Sequence, residues 1–493
     1  MRWLRFILRT FGSRAQDARH RCFSLTWLLG LLAFLACAAS ACPVMAETAY
    51  DGYIVKLQEG AATLAAVDTE GGLEPLVPQL GLYKVFGGQV DEVQQAYPVE
   101  YVEPNYQVML FDVPSNDTVD FDKQWPLEML DFPFAWQLGA AGEGVRVGVI
   151  DSGVSVSHPA LAGRVAGGFN CCTDNEEEFD DYSDTSATNY HGTAVAGIIA
   201  ANSIPGVYSG ATQCSLYALK AFDSKVITGI DSILKAISYG VDYFQCDVLN
   251  MSFGMPERAQ GLEDAIQYAA SRGVILIAAS GNTRNSEMQY PAGFEGVIGV
   301  GGIDKNKVVG TYSTHNESVF ISAPGSSVYV LNGENGYATN SGTSFAAPHV
   351  TAAAAVLKGL MPDLTYTQLT ELLRKGAEDL GAEGYDPYYG WGLLNMEAMQ
   401  GLYRTGVTVA DDGTVSFRLT NYTDRLCSGI NMVTACREET MIGFWQAPLC
   451  LEAGASVDSD LSLPALAEGD VVKGMLWDGS DTISPLLDVD FLQ

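Results

Sequence analysis

Val145 to Val154, VRVGVIDSGV, is a short valine-rich apolar run that closes on Asp151 and a Ser-Gly step. Because apolar and polar residues do not alternate in it, the run reads as a strand buried on both faces. That is the habit of a parallel sheet, here delivering Asp151 at the strand's C-terminal end. Outward along the chain, DVLNMSF (247–253), VILIAA (274–279) and GVIGVGG (296–302) repeat the pattern, with helical stretches at 229–239 and 261–272 between them. Apolar strands alternating with helices predict an α/β fold, a mostly parallel sheet flanked by helices. Open sheets of this kind bind ligands beyond the C-terminal ends of their strands, and Asp151, Ser252 and Asn282 all fall there.

Two further stretches carry reactive side chains. HGTAVAGIIA (191–200) sets His191 at the start of a helix rich in small residues, and NSGTSFAAPH (340–349) sets Ser344 where a small-residue turn enters an alanine-rich helix. Taken alone, Ser344 could simply cap that helix. Together with His191 and Asp151 it makes a nucleophilic set. A serine hydroxyl is a weak nucleophile at neutral pH and needs an imidazole, of pKa about 6.5, to take its proton. A buried carboxylate on the other ring nitrogen fixes the tautomer and stabilises the imidazolium. An amide N–H, such as that of Asn282, can hold the developing oxyanion.

The order Asp, His, Ser and five blocks in sequence make the chain resemble a subtilisin-like serine protease, a subtilase, over about residues 120–400. The blocks are VGVIDSGVSVSHPAL (147–161), HGTAVAGIIA, VLNMSFG (248–254), AASGN (278–282) and SGTSFAAPHV (341–350). The resemblance implies Ser344 as nucleophile, His191 as general base and then acid, Asp151 as the group that orients it, and Asn282 as the oxyanion amide. It further implies that Ser252, Phe253 and Gly254 line the primary specificity pocket and pair with substrate backbone, facing a wall of Ala279, Ser280 and Gly281. Such a cleft takes extended polypeptide. Family members commonly carry leucine where Phe253 stands, so its larger ring either reshapes the pocket or packs into the core. His158 and His349 read as structural, and His315 as a surface residue.

The balance of the chain is strongly acidic, 27 Lys and Arg against 59 Asp and Glu for a formal charge of −32. Nucleic acid is therefore excluded as a partner, since phosphate contacts need clustered cations. Residues 1–46 hold six arginines followed by the apolar SLTWLLGLLAFLACAA and a small-residue site at Val44-Met45-Ala46, the pattern of an export signal, with an uncleaved anchor as the alternative. The expectation is a secreted or cell-surface protein with no membrane segment after signal cleavage.

Residues 47–115 carry three strand-like runs, YIVKLQ (53–58), LYKVF (82–86) and VEYVEPNYQVMLF (99–111). They resemble the subtilase propeptide, an intramolecular inhibitor cleaved off by the enzyme itself between about 108 and 122; a permanent structural domain is the alternative. After the catalytic region, 116–400, residues 401–493 alternate like short antiparallel strands, and a β-sandwich is expected.

Beyond the leader seven cysteines remain, Cys171, Cys172, Cys214, Cys246, Cys427, Cys436 and Cys450, an odd number that leaves at least one thiol without an internal partner. No metal ligand set stands out. The run EEEFDDYSD (176–184) offers hard oxygens, but such runs are mostly solvated loops. Where many calcium-binding subtilases have aspartate this chain has Ala160, so no cofactor is expected to be required, with calcium left open. The reading is a serine endopeptidase made as a zymogen. The rivals are a catalytically silent peptide-binding surface protein and a maturation protease dedicated to one exported partner.

Overall fold

The computed structural model describes residues 52–58, 73–110, 125–137, 140–186, 190–202, 209–224 and 227–397, followed by strand segments between 402 and 491. The expected signal, residues 1–46, lies outside them, as does the stretch 111–124.

Strands β1 Tyr53–Leu57, β2 Glu74–Val77, β3 Leu82–Val85 and β4 Val99–Pro104 form an antiparallel sheet in the order β2-β3-β1-β4, with helix α1 Val90–Ala96 between β3 and β4. Successive side chains point to opposite faces. Val55, Leu57, Tyr83 and Val85 therefore meet Val93 of α1, while Ile54 and Leu82 join the core of the larger region. The run 99–111 is not the single strand expected. It breaks after Pro104, and β5 Gln107–Leu110 leaves for another sheet. The cause is tertiary: Asn105 Oδ1 accepts from Asp231 N–H at 3.0 Å and the Tyr106 carbonyl accepts from Ile230 N–H at 2.8 Å, pinning the chain at that corner.

After short helices α2 Trp125–Met129 and α3 Phe132–Gln137 comes the main sheet. It comprises β6 Arg146–Asp151, β7 Val165–Asn170, β8 Ser215–Lys220, β10 Val248–Met251, β12 Ile275–Ala279, β13 Val297–Ile303 and β14 Val319–Pro324. The order is β14-β13-β12-β10-β6-β8-β7, and every pairing is parallel. All residues of β10, β12 and β13 are buried, as unalternating apolar runs require. Val147, Val149, Ile275 and Ile277 pack with helices α4 His191–Ala200 and α7 Thr343–Leu360, whereas Ile150, Leu249 and Leu276 pack with α5 Ile230–Ser238 and α6 Gln260–Ser271. The α/β expectation is met, with helices on both faces.

From β6 the sheet extends in both directions, on one side to β8 and the edge strand β7 and on the other through β10, β12 and β13 to β14. Such a reversal opens a crevice at the carboxyl ends of the central strands. β9 Ile227–Gly229 and β11 Phe253–Gly254 flank that end, with β5 between them in an antiparallel sheet ordered β11-β5-β9. The hairpin of β15 Val328–Asn332 and β16 Gly336–Asn340 leads into α7, and α8 Tyr366–Gly376 follows. Two antiparallel sheets succeed them: β17 Leu402–Val409 with β18 Thr414–Asn421 and β21 Ser456–Ser462, and β19 Cys427–Arg437 with β20 Thr440–Leu451, β22 Val471–Trp477 and β23 Val489–Phe491. The antiparallel strands expected there are present; their closure into a sandwich stays an expectation.

Candidate active site

Asp151 ends β6 fully buried, and its Oδ1 accepts from the Ser152 N–H at 2.7 Å and from His191 Nδ1 at 2.7 Å. An ionised carboxylate only accepts, so Nδ1 carries the proton and Nε2 keeps the lone pair of a base. His191 opens α4, and the next residue explains how it comes so close. A Cβ on Gly192 would stand 2.2 Å from the Gly153 carbonyl oxygen and 3.0 Å from Asp151 Cβ, so only glycine lets the helix start lie against the turn after β6.

Ser344 is the second residue of α7, which starts after Gly342 at φ 154°. Its hydroxyl donates to the Ser252 carbonyl at 3.0 Å, and the rings of His191 and Phe345 stand 5.6 Å apart, bringing the imidazole beside the helix start. Pro348 lies inside this helix yet does not end it. Proline lacks the N–H that would bond the carbonyl four residues back, that of Ser344. Ser252 Oγ donates to that carbonyl at 3.0 Å instead, and is itself held by Asn250 Nδ2 at 2.9 Å, whose Oδ1 accepts from Thr351 Oγ1 at 2.8 Å. The strand end of β10 and the helix that carries Ser344 are thus joined from both sides.

Asn282 stands just beyond β12. Its Oδ1 accepts from Thr343 N–H and Thr343 Oγ1, each at 3.0 Å, which orients the amide so that Nδ2 is buried with no partner among the described residues. A buried donor left unmatched costs about 1–3 kcal/mol, a cost tolerated where the donor awaits charge. Ala279, Ser280 and Gly281 lead to it fully buried, with Gly281 N–H donating to Thr343 Oγ1 at 3.2 Å.

Phe253 and Gly254, expected to line a specificity pocket, form β11 beside β5. The Phe253 ring is fully buried with its centroid 5.6 Å from that of Phe222, so it packs into the core, while its backbone pairs with β5. There β5 is paired on both sides, Leu110 with Phe253 and Met109 with Gly254, and Gln107 with Gly229, Val108 with Thr228 and Met109 with Ile227. Val108 is fully buried in the same core cluster as Phe253, Leu234 and Leu262.

Other candidates take structural places. His158 Nδ1 accepts from Ala160 N–H at 3.1 Å, capping a short turn, and Ala160 is fully buried. His315 is half-buried and stacked on Tyr388 at 4.5 Å between centroids. Among the described cysteines Cys171, Cys172, Cys214, Cys246 and Cys450 are unpaired; burial pushes the thiols of Cys172 and Cys214 up to about 12, which leaves them inert as nucleophiles. Among the described residues no group of three His, Cys, Asp or Glu side chains is arranged to hold a metal. The charge run 176–184 hid one residue of a different kind. Asp184, read as solvated, is 7% exposed and fully hydrogen-bonded.

His349 is 2% exposed, its Nδ1 faces the Phe345 carbonyl at 2.8 Å, and burial lowers its pKa to about 4. Between that value and the unfolded value of about 6.5 the unfolded chain binds the extra proton. The stability from keeping this ring neutral is thus complete above pH 6.5 and falls toward pH 4, by about 3 kcal/mol at most. His349→Asn, compared with its parent in urea at pH 4.5 and 7 on a Ser344→Ala background, should flatten the pH dependence; an undiminished slope would assign the acid sensitivity elsewhere.

A family model described as the subtilase family matches residues 142–392. Minor extracellular protease Epr of Bacillus subtilis (strain 168) is 34% identical over 356 residues, 70% of this chain and 54% of its own, so the chain spans about half of that relative. Subtilisin DY of Bacillus licheniformis is 36% identical over 265 residues, 53% of this chain and 92% of its own, and subtilisin Savinase of Lederbergia lenta is 34% identical over 275 residues, 56% and 97%. No described helix is long and apolar enough to cross a membrane.

Proposed function

Since the chain belongs to the subtilase family and carries the domain of a serine endopeptidase, we propose that it is an exported enzyme made as a self-processing zymogen. In this reading Ser344 attacks the scissile carbonyl, His191 takes its proton and returns it to the leaving amine, Asp151 stabilises the imidazolium, and Asn282 Nδ2 holds the oxyanion. Residues 47–115 serve as the inhibitory propeptide, 116–400 as the catalytic domain and 401–493 as an appended domain.

One observation carries the reading: β5, a segment of the chain itself, runs as the middle strand between β9 and β11 toward the residues that surround Ser344. An added strand is how an extended polypeptide binds, so the segment is seated as a substrate would be. Because it pairs as far as Leu110, self-cleavage falls beyond that residue, within about 111–122. The sheet behind β5 also grips helices α5 and α6 of the proposed catalytic domain. Glu103 accepts from the N–H groups of Gln260, at 2.7 Å, and of Gly261 at the start of α6, and Lys56 and Lys84 pair with Asp264 and Asp231. A carboxylate at a helix N-terminus is stabilising.

Two experiments follow. A fluorophosphonate should label the wild-type protein at Ser344 and nowhere in Ser344→Ala; a folded wild-type protein that takes no label would instead be a peptide-binding protein. In the Ser344→Ala precursor, Glu103→Ala should cost about 1 kcal/mol, the worth of a helix cap, and lower the urea midpoint. An unchanged midpoint would show that Glu103 does not anchor the N-terminal sheet.

A further inference from the structure

Asp184 sits where no motif places a functional residue, yet its carboxylate joins the segments carrying Asp151 and His191 through three hydrogen bonds and is tied to its own loop by a fourth. Oδ1 accepts from Ser152 Oγ at 3.0 Å and Ser186 N–H at 3.1 Å; Oδ2 accepts from Thr193 N–H at 2.9 Å and Thr193 Oγ1 at 2.6 Å. Ser152 follows Asp151 in the chain, and Thr193 lies two residues after His191. Each hydroxyl then reaches across to the other segment. Ser152 Oγ accepts from Gly192 N–H at 3.0 Å, and Thr193 Oγ1 accepts from Ser155 N–H at 3.0 Å. The result is a closed ring of bonds between the turn after β6 and the first turn of α4.

We propose that Asp184 is a positioning residue, resting on the reading of Asp151 and His191 as the catalytic pair, which sets the carboxylate of one and the imidazole of the other in a single fixed register. The local geometry creates the need. Tyr190, at the N-cap of α4, is held at φ 48° and ψ 54° and makes no side-chain cap, so the first N–H groups of the helix need an acceptor from elsewhere. Asp184 and Ser152 supply it at Thr193 and Gly192. An ionised acceptor binds four donors where an amide oxygen would bind two, and a negative charge suits a helix N-terminus. Burial, helped by the nearby charge of Asp151, raises the Asp184 carboxyl to about 6 against the pull of the Thr193 and Ser186 donors, so the group is costly to keep here. Its return is precision. Displacing a reacting group by about 1 Å costs on the order of 100-fold in rate.

The test uses the full chain, secreted and self-processed, with kcat and KM measured on a peptide substrate, the rate of fluorophosphonate labelling, and the melting temperature. Asp184→Asn turns one acceptor edge into a donor facing Thr193, and should lower kcat and the labelling rate together by about 10- to 100-fold while KM stays within about twofold. Thr193→Val should fall in the same direction, and Thr193→Ser, which keeps the hydroxyl, should recover most of the loss. Wild-type kcat in folded Asp184→Asn would overturn the proposal, as would a rise in KM that accounts for the whole loss. If Asp184→Asn does not fold, Thr193→Val decides by the same two readouts. Asp151→Asn separates the two levels. Intact turnover in that variant sinks the reading of the catalytic pair, whereas an inactive Asp151→Asn beside a normal Asp184→Asn sinks the positioning role alone.

Discussion

Ser344→Ala should lower turnover about a millionfold, to background, and leave the secreted chain at its full precursor length. The magnitude is the scale on which a subtilisin loses rate when the serine or the histidine of its Ser-His-Asp unit is removed, because the members act together and not additively. The substitution should not disturb the fold. Ser344 lies in a helix whose neighbouring alanines are buried, and Ser252 bonds the backbone carbonyl at 344, which alanine retains. Gel mobility, N-terminal sequencing and hydrolysis of a peptide substrate read the result together. Wild-type chain should begin within about 111–122, and the variant should keep β5 between β9 and β11. A variant shortened as efficiently as wild type, in a host without other proteases, would show that another enzyme removes the N-terminal segment. A variant retaining turnover would move the nucleophile away from Ser344.

Asn282→Ala should lower kcat about 100- to 1000-fold with little change in KM, equivalent to about 3–4 kcal/mol of transition-state stabilisation. The ground-state carbonyl carries little charge, so a donor aimed at the oxyanion acts mainly after attack. Alanine also removes the acceptor of Thr343 N–H and Oγ1, so part of the loss could arise from a shifted helix start. Asn282→Asp separates the two effects. It keeps an oxygen for Thr343 but replaces the unpartnered Nδ2 donor with a second negative oxygen, and should be at least as inactive as alanine while melting closer to wild type. Substantial activity in Asn282→Asp would sink the oxyanion assignment.

Much of this site can be read in the chain before folding. Asp151, His191, Asn282 and Ser344 sit in local contexts that single them out as candidates: a carboxylate at the end of an unalternating strand, a histidine before small residues that permit close approach, a serine entering an alanine-rich helix. The parallel sheet is equally legible, because burial on both faces needs apolar residues without alternation, and β10, β12 and β13 have them. Legibility fails where a residue's role depends on what arrives from far along the chain. Phe253 fits a pocket or a core equally well until Phe222 is known to meet it. The run 99–111 alternates like one strand until the N-terminus of α5 takes Asn105 and Tyr106 as its caps. Pro348 looks like a helix breaker until Ser252, 92 residues before Ser344, supplies the missing donor.

Sequence alone determined the family resemblance, the α/β class and the candidates for the reactive side chains, because periodicity and small-residue turns are local properties of the chain. Tertiary structure alone decided which acid of the run 176–184 leaves water, which strand pairs between β9 and β11, and which hydroxyl completes the helix of Ser344. The physical reason is desolvation. A carboxylate such as Asp184 has the same chemistry in a solvated loop as in a buried ring of donors until folding removes the water and brings Ser152, Ser186 and Thr193 to replace it.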